Sequence, residues 1–229
     1  MSIRMEAGER RVVLGPNGAG KTTLFNILVG ELRPTAGRIT LAGRDVTGDS
    51  VEARARLGLA RSYQRNNLFD DLSVRDNLAL AVATSNGAAN WVLRDTLADR
   101  GIAARIEEAA ARVALLDLLD RPVAAISYGA RRQLEVGLAL AARPRILLMD
   151  EPTSGVGPEM IKAFNRLLRS LPRDMTVLII EHDMDLALDV ADRVTVLNYG
   201  EVVFEGTPEE TRESSLVHEI YLGGGHARD

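Results

Sequence analysis

Short unbroken apolar runs alternate along this chain with stretches in which apolar residues return every three or four positions, the marks of strands and helices. Arg11-Val12-Val13-Leu14 reads as a strand, and Thr23 to Val29 as a helix with Leu24, Ile27 and Leu28 on one face and Gly30 to end it. Met1 to Glu9 is expected to give at most half of an edge strand before a turn at Ala7-Gly8-Glu9. Arg38 to Ala42 predicts a strand between a Pro34/Gly37 turn and a turn at Gly43-Arg44-Asp45. Gly58 to Tyr63 predicts another, ending at Gln64.

From Leu68 to Asp120 the texture is helical. Ser73-Val74-Arg75-Asp76 is a capping-box-like start for a helix through about Ala83, and Ser85 to Ala89 is a polar loop. Ile102, Ile106, Ala109, Val113 and Leu116 mark one face of a long helix stopped by Pro122. Ile146 to Met149 is wholly apolar, as a strand in the middle of a parallel sheet is, and Thr176 to Ile180 reads as another buried strand. Helices marked by Ile161, Phe164, Leu167 and Leu168, and by Leu186, Ala187 and Val190, follow them. Val194 to Leu197 and Val202 to Phe204 predict a hairpin around Tyr199-Gly200, and Thr207-Pro208-Glu209-Glu210 starts a helix. Gly223-Gly224-Gly225 predicts a mobile tail. The order is that of an α/β core with a helical block set into it.

Candidate chemistry begins at Gly15-Pro16-Asn17-Gly18-Ala19-Gly20-Lys21-Thr22, which fits G-x-x-x-x-G-K-[ST], a phosphate-binding P-loop, between a strand and a helix. Gly15, Gly18 and Gly20 let successive backbone N–H groups turn inward on phosphate oxygens, and the helix start adds its positive end. Lys21 supplies a charge for the β- and γ-phosphates, the Thr22 hydroxyl a ligand for Mg²⁺, and Thr23 extends the candidate nucleotide contacts. A glycine-rich turn merely joining strand to helix is the plainer alternative. Asp150-Glu151 follows the apolar run Ile146 to Met149, at a strand end where open α/β sheets bind ligands. There Asp150 would hold Mg²⁺, directly or through water, and Glu151 would orient or deprotonate an attacking water. An exposed turn is the plainer alternative here. Ser127 at a helix start, with Gly129 allowing close backbone approach, forms a second candidate anion site, although taken alone it is only a capped helix.

The totals narrow the classes. In 229 residues, 46% hydrophobic and 26% charged, there is room for one large domain and a sizeable core. A formal charge of -4 argues against a nucleic-acid partner held by a basic surface. Without cysteine, disulfides and thiolate metal sites are excluded. No apolar run approaches bilayer length; Leu78 to Ala83 is among the longest.

The order of P-loop, Gln64, Ser127-Tyr128-Gly129, Asp150-Glu151 and His182 resembles the nucleotide-binding subunit of ATP-binding-cassette transporters, over nearly the whole chain. Tyr128, Ala130, Arg61-Ser62-Tyr63-Gln64-Arg65-Asn66, Asn67-Leu68-Phe69, Glu181-His182-Asp183-Met184 and Tyr221-Leu222-Gly223-Gly224 complete the comparison. Tyr128 stands where the family's signature has its first glycine, and Ala130 where it usually has a glutamine or similar polar residue. With Tyr128, the other segments look like the branched-chain amino acid importer ATPases.

The resemblance implies a P-loop ATPase core with a mostly parallel sheet, a small antiparallel part and an inserted helical subdomain. It implies core in 1–66, a permease-docking helical subdomain in 67–125, the signature helix and the rest of the core in 126–215, and a tail in 216–229. Two subunits, identical or paralogous, would pair head to tail, each ATP lying between one P-loop and the partner's Ser127 and Gly129. His182 would contact the γ-phosphate and attacking water, and Gln64 would link Mg²⁺ and water to the membrane-facing helices. Ser154-Gly155-Val156-Gly157-Pro158 would cross the dimer interface. The implied partners are transmembrane permease subunits and, indirectly, a substrate-binding protein, at the cytoplasmic face of the plasma (inner) membrane. The family's first strand usually carries an adenine-stacking aromatic; the first aromatic here is Phe25, so the chain is expected to lack that strand. A soluble mechanical ATPase of the family, and a shortened form that binds nucleotide but hydrolyses poorly, stay open as readings.

Overall fold

The structure, a computed structural model, describes residues 1–62, 68–85 and 100–222. Its frame is a six-stranded sheet in the order β4-β5-β6-β1-β7-β8. The strands are β1 (Arg10–Leu14), β4 (Leu59–Arg61), β5 (Ile146–Asp150), β6 (Thr176–Ile180), β7 (Arg193–Asn198) and β8 (Glu201–Gly206). All neighbours run parallel except β7 and β8, which form the hairpin expected around Tyr199-Gly200. The small antiparallel sheet pairs β2 (Thr40–Leu41) with β3 (Arg44–Asp45).

Strand side chains alternate between faces, and the apolar runs supply both. Val12, Leu14, Leu147, Met149, Val177 and Ile179 enter one buried cluster. Val13, Leu148, Leu178 and Ile180 enter another with Leu24, Phe25 and Val29 of α1 (Lys21–Val29). Helix α1 starts two residues earlier than periodicity suggested, on Gly20 in a left-handed conformation, and ends as expected on Gly30 at φ 94. A short helix α2 (Val51–Arg56), which periodicity did not reveal, carries Arg54 inward. The buried Arg54 guanidinium donates to the carbonyls of Ile27 and Leu28, both at 2.6 Å, and so closes the C-terminal end of α1.

A helical layer is built from α3 (Val74–Ser85), α4 (Arg100–Arg112) and α5 (Tyr128–Ala141), which pack on one another. Ser73 caps α3 as its sequence suggests: Asp76 N–H donates to its hydroxyl at 3.0 Å, and Ser73 N–H returns to the Asp76 carboxylate at 3.3 Å. Helices α6 (Pro158–Ser170), α7 (Met184–Val190), α8 (Pro208–Glu213) and α9 (Ser215–Leu222) complete the described elements. The capping box that opens α8 is complete.

Several expectations need correction. Helix α4 stops at Arg112 and does not run on toward Pro122; Ala114 takes φ 56 and turns the chain. The turn buries Leu115 fully and leaves Leu116, expected on the apolar face, 47% exposed. The strand expected over Arg38 to Ala42 is only Thr40–Leu41, because Ala42 and Gly43, both at positive φ, fold it back so that Arg44–Asp45 pair rather than turn. Met1 to Glu6 form no strand, and the last helix runs through a segment read only as tail. The loop expected at Ser85 to Ala89, beyond Ser85 itself, and the glycine tail fall outside the described residues.

Candidate functional site

Strands β1, β5 and β6 are parallel and in register, with Val13 opposite Ile180 and Ile180 opposite Asp150. The segments leaving their carboxyl ends therefore emerge at one edge of the sheet: the P-loop, Asp150-Glu151 and Glu181-His182. That register places together residues up to 167 positions apart, as between Gly15 and His182.

The P-loop is held by its own backbone and by the hairpin beside it. Ala19 N–H donates to Pro16 O at 3.1 Å, and Gly200 N–H of the hairpin donates to Ala19 O at 2.9 Å. Gly15 passes so near β7 that a Cβ there would lie 2.3 Å from the Leu197 carbonyl oxygen, which is why no larger residue fits. Gly18 and Gly20 have φ of 79 and 99, the left-handed values that turn the loop onto the start of α1. Asn17, Gly18, Thr22 and Thr23 are exposed, whereas Ala19 and Lys21 are buried. The Lys21 ammonium donates to Gly15 O at 2.6 Å and to Pro16 O at 3.1 Å. Burial lowers its pKa, opposed by the carboxylates of Glu151, Asp150 and Glu181, so the four charges share one field.

Asp150 is the last residue of β5 and buried. Burial first, then Glu151 and Glu181, against the pull of Lys21 and Arg61, pushes its carboxyl up to about 6. Its Oδ1 is buried without a hydrogen-bond partner. Glu151 holds φ 44, uncommon for a side chain with a Cβ, while its N–H donates to Ile180 O at 2.9 Å. The register thus overrides local preference and fixes where the Glu151 side chain leaves the strand. His182 Nδ1 stands 3.9 Å from Glu151 Oε1 and 3.7 Å from Glu181 Oε2, with over half of its side chain exposed.

Glu181, read from the sequence only as part of a resemblance, is fully buried here. It accepts from the Thr153 hydroxyl at 2.8 Å, from Thr153 N–H at 3.3 Å and from His182 N–H at 3.2 Å. Burial raises its pKa against these bonds. Its apolar neighbours in sequence, Leu178 to Ile180, disguised it as a strand end.

Ser127 caps α5, accepting from Ala130 N–H at 3.2 Å, and is itself exposed. Gly129 backs onto Met160 on α6, and the Tyr128 hydroxyl approaches Gly155 in the loop after β5; neither contact involves the P-loop. The P-loop, Asp150, Glu151 and His182 are thus brought together, while the exposed Ser127 and the half-buried Gly129 open α5 elsewhere. Gln64 lies outside the described residues, as does Asn66.

Residues 1–154 match the profile of the ABC transporter family. The chain belongs to that family. The cassette is 36% identical to the high-affinity branched-chain amino acid transport ATP-binding protein LivG of Salmonella typhimurium, over 97% of this chain and 91% of that one. It is 37% identical to the corresponding protein BraF of Pseudomonas aeruginosa, over 96% and 90%. It also superimposes on a solved ATP-binding cassette of an ABC transporter in its ADP conformation, with a TM-score of 0.81 and 27% identity over 97% of this chain and 91% of that one. The cassette has the ABC ATPase fold and is an ATPase subunit that binds nucleotide. Among the described residues no helix is long and apolar enough to cross a membrane.

Proposed function

We propose that this cassette hydrolyses ATP to drive a membrane importer for branched-chain amino acids, working as a head-to-tail pair beneath two permease subunits. The observation that carries the proposal is the convergence of Lys21, Asp150, Glu151 and His182 at one sheet edge. The phosphates would lie along the P-loop backbone, with Lys21 moving from the Gly15 and Pro16 carbonyls to the β- and γ-phosphates. Glu151 would accept a hydrogen bond, and then the proton, from the attacking water, and His182 beside it would fix that water and the γ-phosphate. In-line attack breaks the bond from the γ-phosphorus to the bridging oxygen, giving ADP and inorganic phosphate. Gln64 is assigned its family role of joining this site to the permease.

The residues fit Mg²⁺. The buried, partnerless Asp150 Oδ1 and the exposed Thr22 hydroxyl at the start of α1 are hard oxygen donors. Bound there with the nucleotide, Mg²⁺ would neutralise charge on the phosphate oxygens.

Ser127, exposed at the start of α5, and the half-buried Gly129 beside it would close the site of the partner subunit. The domain limits read from the sequence are kept for the core, 1–66 and 126–215, and for the docking helices, 67–125. Phe69, a large exposed apolar side chain, supports a docking surface there. The LivG and BraF likeness supports the substrate class and an indirect link to a binding protein.

Glu151→Gln tests the reading. The variant should bind MgATP, convert from monomer to dimer with it, and lose about 100-fold or more in turnover. Near-normal turnover would refute the role of Glu151. A monomer under both conditions would refute the paired site in the cassette alone. Reconstituted with its permease, the wild type should be stimulated by a binding protein loaded with leucine and not by one loaded with glutamate.

A further inference from the structure

The last helix reaches the phosphate loop. Gly15 N–H donates at 2.8 Å to the hydroxyl of Tyr221, 206 residues downstream on α9. Burial is the main cause that pushes the Tyr221 phenol up to about 12, so the hydroxyl stays protonated across the working range of pH. Gly15 is where β1 hands the chain to the loop; its N–H is held by Tyr221, and the Leu197 carbonyl of β7 crowds the place a side chain would take. The carbonyl of the same residue accepts the Lys21 ammonium at 2.6 Å. One residue thus joins a side chain of the C-terminal helix to the lysine that must meet the phosphates.

The helix is anchored for this task. Val217 is fully buried, and Ile220 and Tyr221 pack against the larger core cluster. The hydroxyl of Ser214 accepts from Val217 N–H at 3.3 Å and fixes the start of α9, which rests on α8. Helix α8 in turn packs on β7 and β8, whose turn holds the other side of the P-loop through Gly200. An unpaired buried N–H at the base of the loop would be costly, and the adjoining strands leave this one to a side chain.

We propose that Tyr221 is a positioning residue for the phosphate loop, and that α9 sets nucleotide affinity through it. The proposal rests on the P-loop as the nucleotide site and adds a control point at the far end of the chain. Displacement of α9 would release Gly15, let the loop shift, and weaken nucleotide binding without touching Glu151 or His182.

The test compares Tyr221→Phe, which keeps the ring and removes the hydroxyl, with Val217→Ala, which loosens the same helix and leaves the hydroxyl in place. Both are made in the full chain, with Lys21→Ala alongside, and assayed where circular dichroism shows each folded. Tyr221→Phe should raise the Kd and KM for MgATP about threefold to tenfold and leave kcat within about twofold, while Val217→Ala should shift them in the same direction by less. Faster amide exchange at Gly15 should accompany the loss. Wild-type affinity in Tyr221→Phe, or a larger loss in Val217→Ala than in Tyr221→Phe, would overturn the proposal. Wild-type affinity in Lys21→Ala would instead overturn the P-loop reading on which it stands.

Discussion

Asp150 is held in a field that opposes its charge, and this makes its cost measurable. With its folded pKa at about 6 and that of an unfolded aspartate near 3.9, the folded chain binds more protons between about pH 4 and about pH 6. The relative stability present below that window is lost as pH rises through it. Asp150→Asn removes the penalty: in EDTA at about pH 7.5 the variant should be more stable by on the order of 2 kcal/mol, with little gain near pH 4, read by urea unfolding. The same variant should lose hydrolysis. Such a trade of stability for chemistry is expected where a site must hold an uncompensated charge. The acid at 150 was legible in the sequence because it closes an apolar strand. The buried acid at 181 was not, because its partners on Thr153 lie 28 positions away and become neighbours only through the β5–β6 pairing.

At the scale of elements, helix α5 shows how one residue serves two ends. Ser127 is the N-cap, bonded to Ala130 N–H, and also the exposed hydroxyl offered to a partner's phosphate under the proposed function. Substitution separates the roles. Ser127→Ala should lower stability by about 0.5–2 kcal/mol, whereas Ser127→Asp keeps a capping oxygen and should leave the melting temperature nearly unchanged. Both should lose MgATP-driven dimerisation and turnover, the aspartate more severely because its charge would face the γ-phosphate. Equal turnover in wild type and Ser127→Asp would count against the shared site. Helix α4 gives the opposite lesson. Its apolar spacing continued past Arg112, yet the left-handed Ala114 ended the helix and exchanged Leu116 for Leu115 in the core.

The whole molecule has a modest net charge, and under the proposed function it would meet a permease through a local surface. Phe69 offers one: it is 58% exposed, on a loop pinned by Asn77, which accepts from Phe69 N–H at 2.9 Å and donates to Phe69 O at 3.1 Å. Asp70 next to it is tied to Arg131 on α5 at 3.0 Å, which joins this loop to the helix bearing Ser127. Phe69→Asp should therefore leave the ATPase activity of the isolated cassette unchanged. It should abolish capture by detergent-solubilised permease and the stimulation seen on reconstitution. Retained coupling would place the docking surface elsewhere.

By itself the sequence determined what is written in local codes. The P-loop and its glycines, the apolar central strands, the caps at Ser73, Ser127 and Thr207, and the Tyr199-Gly200 hairpin each depend on residues a few positions apart. Their spacing carries their physics. Only the tertiary structure decided which of these meet. Parallel pairing of β5, β6 and β1 gathers Lys21, Asp150, Glu151, Glu181 and His182 at one edge. The packing of α9 brings Tyr221 to Gly15, and the turn at Ala114 chooses which leucine is buried. These outcomes turn on burial and on hydrogen bonds between distant segments, energies that no local window of sequence contains.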